Sequence, residues 1–557
     1  MAGELELKSE KEIFPFILKH WKILLLIAIL ILTFYLRFYH VDYPVVGYHD
    51  WKETHYLTES RNFAEEGFFQ YGFFMPFVDF LTLGGDPNGV HSDSLPTLSI
   101  ILGFLFNIFG SSLLLARFVT ILFSVGAVLF LYLFMKELTK NEYLSFASAF
   151  ALAITPLSVF FGRNVQLINP ALFFMLATFY FYTKWIKTDK SKLMILTAVS
   201  LALCILTKYS FFLVVFPMLF MFPYKRLKKV KEKSKSYLIS ALALLSIPLW
   251  FFYSDIYMAK KLGQSGAVAS RIFDFSSFPQ IWEIFKVFIP DNYTWIGFLF
   301  AIVGLVLFFV FYKKGRLFNK FILGYLVGII IWLIFMAGKL EGHSYHHYPL
   351  LPLFAILVGF AVLMVSNVVA KFVAALSNKK IKVKHLRILL ILLLFFLLWS
   401  PSMEAKDKQF NTQFFGLDVA GDYVRENSEV TDKMFHSTHQ SHGVLWHANR
   451  QGYGLPDSID KLREGEQNGA NWLFVYQWGF NIMNNPELWE EVKSTYSLRQ
   501  VAFLQQGEQV SPIYFLLEKG GSFDEDELNT MIADKEIKIR NYEYTNGGQI
   551  PLTYIDL

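Results

Sequence analysis

The sequence predicts an α-helical polytopic membrane protein of about eleven transmembrane helices with a C-terminal α/β domain outside the bilayer, and three observations predict it. Of its 557 residues, 54% are hydrophobic and only 17% charged, which is more apolar than a water-soluble domain requires. The apolar residues fall in repeated blocks near the length that crosses hydrocarbon, and basic residues fill every second gap between blocks. Beyond Pro401 charged and polar residues appear throughout, over about 150 residues, the size of one ordinary domain.

In chain order, Met1 to Lys22 is mixed in charge, and no small-residue cleavage site closes the apolar run that follows. A retained first helix with a cytoplasmic N-terminus is expected rather than a cleaved signal peptide. Apolar blocks then predict spans near 21–38, 112–135, 143–161, 168–186, 193–207, 209–224, 237–257, 294–312, 318–338, 348–370 and 386–400, about eleven in all. Lys136 and Lys140, Lys184 to Lys192, Lys225 to Lys235, Lys313 to Arg316 and Lys371 to Arg387 occupy alternate loops. The positive-inside rule makes those loops cytoplasmic, and loops 39–111, 162–167, 258–293 and 339–347 external. The alternation requires that Leu95 to Phe109, bounded by Pro96 and Gly110, lies along the external face instead of crossing. Residues 1–400, with an external loop at 41–111, therefore form a membrane domain, and 401–557 an external soluble one. In the latter Leu417 to Asn427 reads as helix, and Trp472 to Tyr476 and Ile513 to Leu517 as strands. A single cysteine, Cys204, excludes an intrachain disulfide or a cysteine metal cluster. The basic runs are short and lie beside spans, so no nucleic-acid partner is expected.

The chemistry-bearing residues concentrate in the loop between Tyr43 and Pro96, which holds Asp50, Glu53, His55, Arg61, Asp79, Asp86, His91 and Asp93. Carboxylates cannot lie unpaired in lipid, so this loop sits at a membrane face. There Asp50 can act as general base on a hydroxyl or amine held at the surface, while Asp42, Asp79 or Asp86 taken alone reads as a solvated loop charge. Arg163, in the short loop GRNVQLIN, either snorkels to the interface or holds a lipid phosphate bidentately. Lys208, between two apolar spans, needs water or an anion, whether a nearby Asp or a phosphate. In KLEGHSYHHYPLLP (339–352), His343, His346 and His347 with Glu341 are ordinary ligands for a divalent cation. Adjacent His346 and His347 cannot both face one ion on a regular helix, so no metal is required, with His91, His343 and His346 as the residues a divalent cation would use. Tyr345 and Tyr348 suit a sugar platform or an interfacial belt. No Walker loop, GxGxxG after a strand or GxSxG elbow is present, and a soluble domain for a nucleotide-sugar donor is missing on the cytoplasmic side.

Asp50 to Gly67, DWKETHYLTESRNFAEEG, resembles the first external loop of GT-C superfamily glycosyltransferases, the group of protein O-mannosyltransferases and the lipid A aminoarabinose transferase. One branch reads W-R-Q-x-D-T and then A-R-N-F; Trp51, Lys52 and Glu53, then Ser60, Arg61, Asn62 and Phe63, take those places. Met75 to Asp79 are similar to its Y-P-R-x-D, and Asp93 and Pro96, then Phe109 and Gly110, to its E-x-P and F-G. Ala116-Arg117, the Arg163 loop, Leu206-Thr207-Lys208 and His343 to Pro352 extend the resemblance. His55 stands where the branch has Asp, which moves the expected base to Asp50, with Asp93 as second carboxylate. The resemblance implies an inverting transferase that uses a polyprenyl- or dolichyl-phosphate monosaccharide and needs no cofactor. Its acceptor would be a protein, lipid or glycan at the external face of the cell membrane. Lys52, Glu53, Arg61, Arg163, Lys208, His343 and Tyr345 would contact substrate or phosphate. A transporter or flippase of a lipid-linked substrate would instead want ionisable residues and broken helices at mid-membrane and an internal repeat. An oligosaccharide ligase would share the external site and the release of phosphate, whereas a scaffold would leave the work to its soluble domain.

Overall fold

The computed structural model describes residues 10–70, 80–81, 94–229, 231–261, 278–313, 316–377, 382–437, 441–478, 481–506 and 509–557. The chain opens with α1 (Glu10–Phe38) and α2 (Asp50–Glu66), a short strand β1 (Phe80–Leu81), and α3 (Thr97–Phe109). A helical bundle follows: α4 (Leu113–Thr139), α5 (Glu142–Ile154), α6 (Pro156–Phe160), α7 (Ile168–Thr188), α8 (Ser191–Thr207), α9 (Val215–Met221), α10 (Ser234–Phe251) and α11 (Ala259–Lys261). It is completed by α12 (Ile281–Asn292), α13 (Trp295–Val310), α14 (Leu317–Leu340), α15 (Leu351–Leu376) and α16 (Val383–Asn411).

Among the described residues six helices are long and apolar enough to cross a membrane, or seven if the bent pair α12–α13 counts as one. The expected eleven therefore include blocks that the backbone divides into shorter pieces. Pro156 separates α5 from α6, and past Lys208 the chain tightens into a 3-10 turn, Tyr209–Val214, before α9. The predicted loop 258–293 contains α12, which meets α13 at 112°. Thr294 turns that corner with φ 60° and caps α13 through Gly297. Close helix packing uses a small residue where α13 crosses α15: a methyl on Gly304 would lie 2.1 Å from the Leu357 carbonyl oxygen. At 13 residues α3 is about 20 Å long, too short to span. It buries Leu98, Leu102 and Phe106 and exposes Phe104, Ile108 and Phe109, the two-faced pattern expected of a helix lying along the membrane surface.

The two ends of the bundle differ sharply in charge. At one end Lys22 and Lys136 pair with Glu142 at 3.1 and 3.2 Å, Lys187 with Glu137 at 3.3 Å, and Arg226 and Lys233 with Asp189 at 3.3 and 2.7 Å. Arg387 joins them, its guanidinium over the Tyr143 ring at 4.4 Å. The basic stretches that hold Lys136, Lys187, Arg226 with Lys233, and Arg387 thus share one end. The chain between α1 and α2, the turn before α15 and the C-terminal domain share the other. Arg37, fully buried in α1, is satisfied by the Ser124 and Ser158 hydroxyls, both at 2.7 Å, and by the carbonyls of Thr33 and Ala153. That network ties α1 to α4, α5 and α6.

Helix α16 continues through Pro401 to Asn411, about eleven residues beyond the predicted end of the last span, so the C-terminal fold begins at its foot. It comprises α17 (Leu417–Asn427), β2 (Lys433–His436), α18 (Gly443–Ala448), β3 (Gln451–Gly454), α19 (Ile459–Gln467), β4 (Ala470–Tyr476), α20 (Pro486–Thr495), β5 (Tyr496–Gln506), β6 (Gln509–Lys519), α21 (Leu528–Ile532), β7 (Lys538–Glu543) and β8 (Gln549–Asp556). The mixed sheet has the order β1-β3-β2-β4-β6-β5-β8-β7. Strands β2, β3 and β4 are parallel, as βαβ connections require, and the pairs β4–β6, β6–β5, β5–β8 and β8–β7 are antiparallel. Its first strand comes from the membrane domain's own loop, Phe80 pairing with Gly452 in parallel. One sheet face packs on Val46, Phe414 and Leu417, so the residues before α2 belong to the domain's core.

Candidate active site

The first half of α2 lies between the bundle and the C-terminal domain, and helical periodicity gives it two working faces. Asp50, Thr54 and Arg61 fall on one face, Lys52, His55 and Glu59 on another. The first is covered by α18. The Gly443 amide donates to Asp50 Oδ2 at 3.3 Å, and the Arg61 guanidinium lies 5.1 Å from the Trp446 ring centre. The Val45 amide donates to His447 Nε2 at 3.1 Å; burial, the largest influence, pulls that imidazole down to about 4, so it stays a neutral acceptor at neutral pH. A methyl on Gly443 would stand 2.0 Å from the Val45 carbonyl oxygen and 3.0 Å from Asp50 Oδ2. Gly443→Ala is expected to loosen this junction by about 1–3 kcal/mol, read as earlier protease release of the C-terminal domain with no change in its own sheet.

Asp50 is 1% exposed, and its Oδ1 has no hydrogen-bond partner among the described residues. Burial pushes its carboxyl well above the usual carboxylate range, against the pull of the Gly443 and Trp51 amides. Asp50, Glu53, Arg117 and Arg163 line one small polar cavity of about 20 Å³, room for a water molecule. Glu53, expected to contact substrate, is committed elsewhere: both its oxygens accept from Arg117, at 2.9 and 2.8 Å, and Oε1 also from the Val165 amide. Burial alone would raise its carboxyl, but the charge and hydrogen bonds of Arg117 outweigh this and hold it low. Arg163 donates to the carbonyls of Tyr39 and His40 and stacks on Phe410 at 4.6 Å. Burial lowers it to about 9, with Arg117 adding repulsion. Glu53 and Arg163 therefore fasten the α1–α2 connection to the bundle instead of presenting free groups to a ligand.

The second face meets the turn before α15. Lys52 Nζ sits 4.1 Å from the Trp51 ring centre, and Trp51 packs on His343 at 5.8 Å. His343 and Tyr345 both pack on His346, at 5.8 and 4.5 Å. The charges of Lys208, Lys339 and Lys52 all bear on the buried His346 ring. These lysines come from three separate elements, and among the described residues Lys208 has no ion-pair partner. His49, which burial pulls down to about 3, completes this aromatic wall as a neutral ring 5.3 Å from Tyr345. Among the described residues no group of three or more His, Cys, Asp or Glu side chains is placed to hold a metal. Asp93 and His91 lie outside the described residues, as do Asp79 and Asp86.

Two groups escaped the reading of the sequence. Lys339 joins the cation cluster because α14 delivers it to the same turn as His343. Glu59 pairs with His55 one helical turn back, and its Oε2 accepts from the Ser99 hydroxyl of α3 at 2.7 Å. The spacing of Lys52, His55 and Glu59, three then four residues, was the available signal.

Residues 92–253 match the family model described as dolichyl-phosphate-mannose-protein mannosyltransferase. No curated protein matches the chain in sequence. Among solved structures, the apo Archaeoglobus fulgidus oligosaccharyltransferase is similar with a TM-score of 0.54 at 13% identity, over 94% of this chain and 80% of that one. ArnT from Cupriavidus metallidurans in the apo state gives 0.55 at 12% identity, over 90% and 98%. The same ArnT bound to undecaprenyl phosphate gives 0.50 at 11%, over 96% and 98%. The chain is thus a multi-pass membrane protein that shares its fold with these membrane transferases, and across residues 92–253 it is similar to the dolichyl-phosphate-mannose-protein mannosyltransferase family.

Proposed function

We propose that the protein transfers a monosaccharide from a polyprenyl- or dolichyl-phosphate donor to an acceptor at the extracytoplasmic face of the cell membrane, inverting the anomeric centre. The observation that carries this reading is the His343–His346 turn, on which the charges of Lys52, Lys208 and Lys339 bear and against which Trp51 packs with Lys52 over its ring. Lys208, which has no ion-pair partner among the described residues, leaves a cation beside that buried ring, and an anionic phosphate there would pair with it. The ArnT structure bound to undecaprenyl phosphate is in keeping with a prenyl-phosphate ligand for this fold. The end of the bundle opposite the basic loops is extracytoplasmic by the positive-inside rule, and the cluster lies at that end.

In the transfer, the acceptor O–H gives its proton to Asp50 Oδ1 as its oxygen attacks the anomeric carbon from the face opposite the phosphate. The bond from that carbon to the phosphate oxygen breaks, and its electron pair stays on the phosphate. Lysines placed around the departing oxygen stabilise the charge that develops there. Asp50 suits the base because its Oδ1 accepts no hydrogen bond from the described residues and burial makes its carboxylate more basic than a solvated one. Trp51 links it to the cluster, being next in the chain and packed on His343.

Undecaprenyl phosphate binding to the purified protein tests the reading. Lys208→Ala and Lys339→Ala should each weaken it about tenfold or more, since a hydrogen bond to a charged group contributes roughly 1.5–3 kcal/mol. Unchanged affinity in both would remove the phosphate site.

A further inference from the structure

A second cavity, of about 480 Å³, opens between the C-terminal half of α2 and the starts of β2 and β3. We propose that it binds an oligosaccharide, the extended part of a glycan acceptor; this deepens the transferase reading and rests on it. The lining decides the class of ligand. Asn62 and Glu65 of α2 face Asp432, Lys433, Asn449 and Gln451 of the C-terminal domain, and Val430 is the one apolar side chain among them. A site for a peptide or a lipid would need apolar pockets, which dominate most ligand clefts. Amides, carboxylates and an ammonium that supply donors and acceptors side by side match instead the vicinal hydroxyls of a sugar.

The side chains of Asn62, Glu65, Lys433 and Asn449 make no hydrogen bond or ion pair to any described residue, so their polar heads are available. Asn449, at the end of α18, holds a left-handed backbone with φ 52°, which turns the chain into β3 at the cleft wall. The cleft shares α2 with the proposed base. From Asp50 to Asn62 the helix rises about 18 Å at roughly 1.5 Å per residue, so one bound sugar unit cannot reach both. The acceptor is therefore an oligosaccharide, whose far units dock here while a terminal hydroxyl reacts near Asp50; binding remote from the reacting atoms raises transfer through orientation.

Saturation-transfer NMR on the full chain in lipid nanodiscs, without donor, tests this with maltotetraose, α-1,6-mannotetraose, chitotetraose and a serine- and threonine-rich decapeptide. At least one tetraose should bind, its monosaccharide should bind at least tenfold more weakly, and Lys433→Leu and Asn449→Leu should each reduce tetraose affinity about tenfold. Undecaprenyl phosphate affinity should stay unchanged in both variants, which shows them folded. Binding of the decapeptide alone, no binding of any tetraose, or tetraose binding untouched by both substitutions would overturn the cleft. Binding is read without donor and is therefore independent of transfer: absence of transfer in a separate assay with donor added, tetraose binding being intact, would count against the transferase reading and leave the cleft standing.

Discussion

Asp50→Asn is expected to lower sugar transfer by about 10²–10⁴-fold, the usual contribution of a positioned general base, while undecaprenyl phosphate affinity stays as in the unaltered protein. The substitution keeps the side chain's shape and its acceptor oxygen toward the Gly443 amide, so the junction with α18 should survive. The pH dependence gives a second readout. The base must be ionised, and burial places its carboxyl well above the ordinary range. Activity should therefore rise with pH through a limb displaced upward from that of a solvated carboxylate, and the residual activity of Asp50→Asn should lack this limb. Stability has the opposite sign: the folded protein holds this proton more tightly than the unfolded chain, so Asp50 costs stability as pH rises between the unfolded and folded values. Wild-type rates in Asp50→Asn would transfer the role of base to another acid, with Glu59 the next buried acid of α2 that Arg117 does not hold.

Arg117→Ala should have the largest effect on folding, about 3–5 kcal/mol, because it strands a buried carboxylate. Arg117 binds both oxygens of Glu53 and the carbonyls of His40, Val41 and Tyr43, so its loss frees four groups at once. Thermal unfolding in detergent measures it. The Glu53→Gln/Arg117→Ala double variant should recover part of the loss, since the stranded charge is gone. Glu53 also sets a pH window. Its carboxyl is held below the usual value, so the pair's stabilisation is full above the unfolded pKa and is lost as pH falls through the folded one. Equal melting temperatures for the single and double variants would show that the charge of Glu53 is not what Arg117 offsets.

Much of the architecture was legible because lipid imposes simple rules. Block lengths and the alternation of basic loops located the bundle and its two ends, and Pro96 with Gly110 marked a helix too short to cross. What the sequence could not convey was how apolar blocks divide: Pro156 and the tight turn after Lys208 interrupt helices without interrupting hydrophobicity. Composition changes at Pro401, yet the backbone does not: the helix carries that proline and continues to Asn411. In the site, residue types identified the right neighbourhood but not the partners. Glu53 and Arg163 look alike in sequence to ligand-binding groups, yet Arg117 and the carbonyls of Tyr39 and His40 engage them. These contacts join positions dozens of residues apart, and no local spacing encodes them. The same holds for α18: nothing near Gly443 hints that it closes over Asp50, a contact 393 residues distant.

The central claim is that the acids of α2 and the three lysines meet at the extracytoplasmic end of the bundle. Labelling of intact cells with a membrane-impermeant maleimide tests it most directly, in a Cys204→Ser background with one new cysteine at Glu426 in the C-terminal domain or at Lys190 among the basic loops, both exposed. Modification at Glu426→Cys in intact cells, and at Lys190→Cys only after permeabilisation, is the predicted result; the reverse pattern would put the lysine cluster in the cytoplasm and contradict the account.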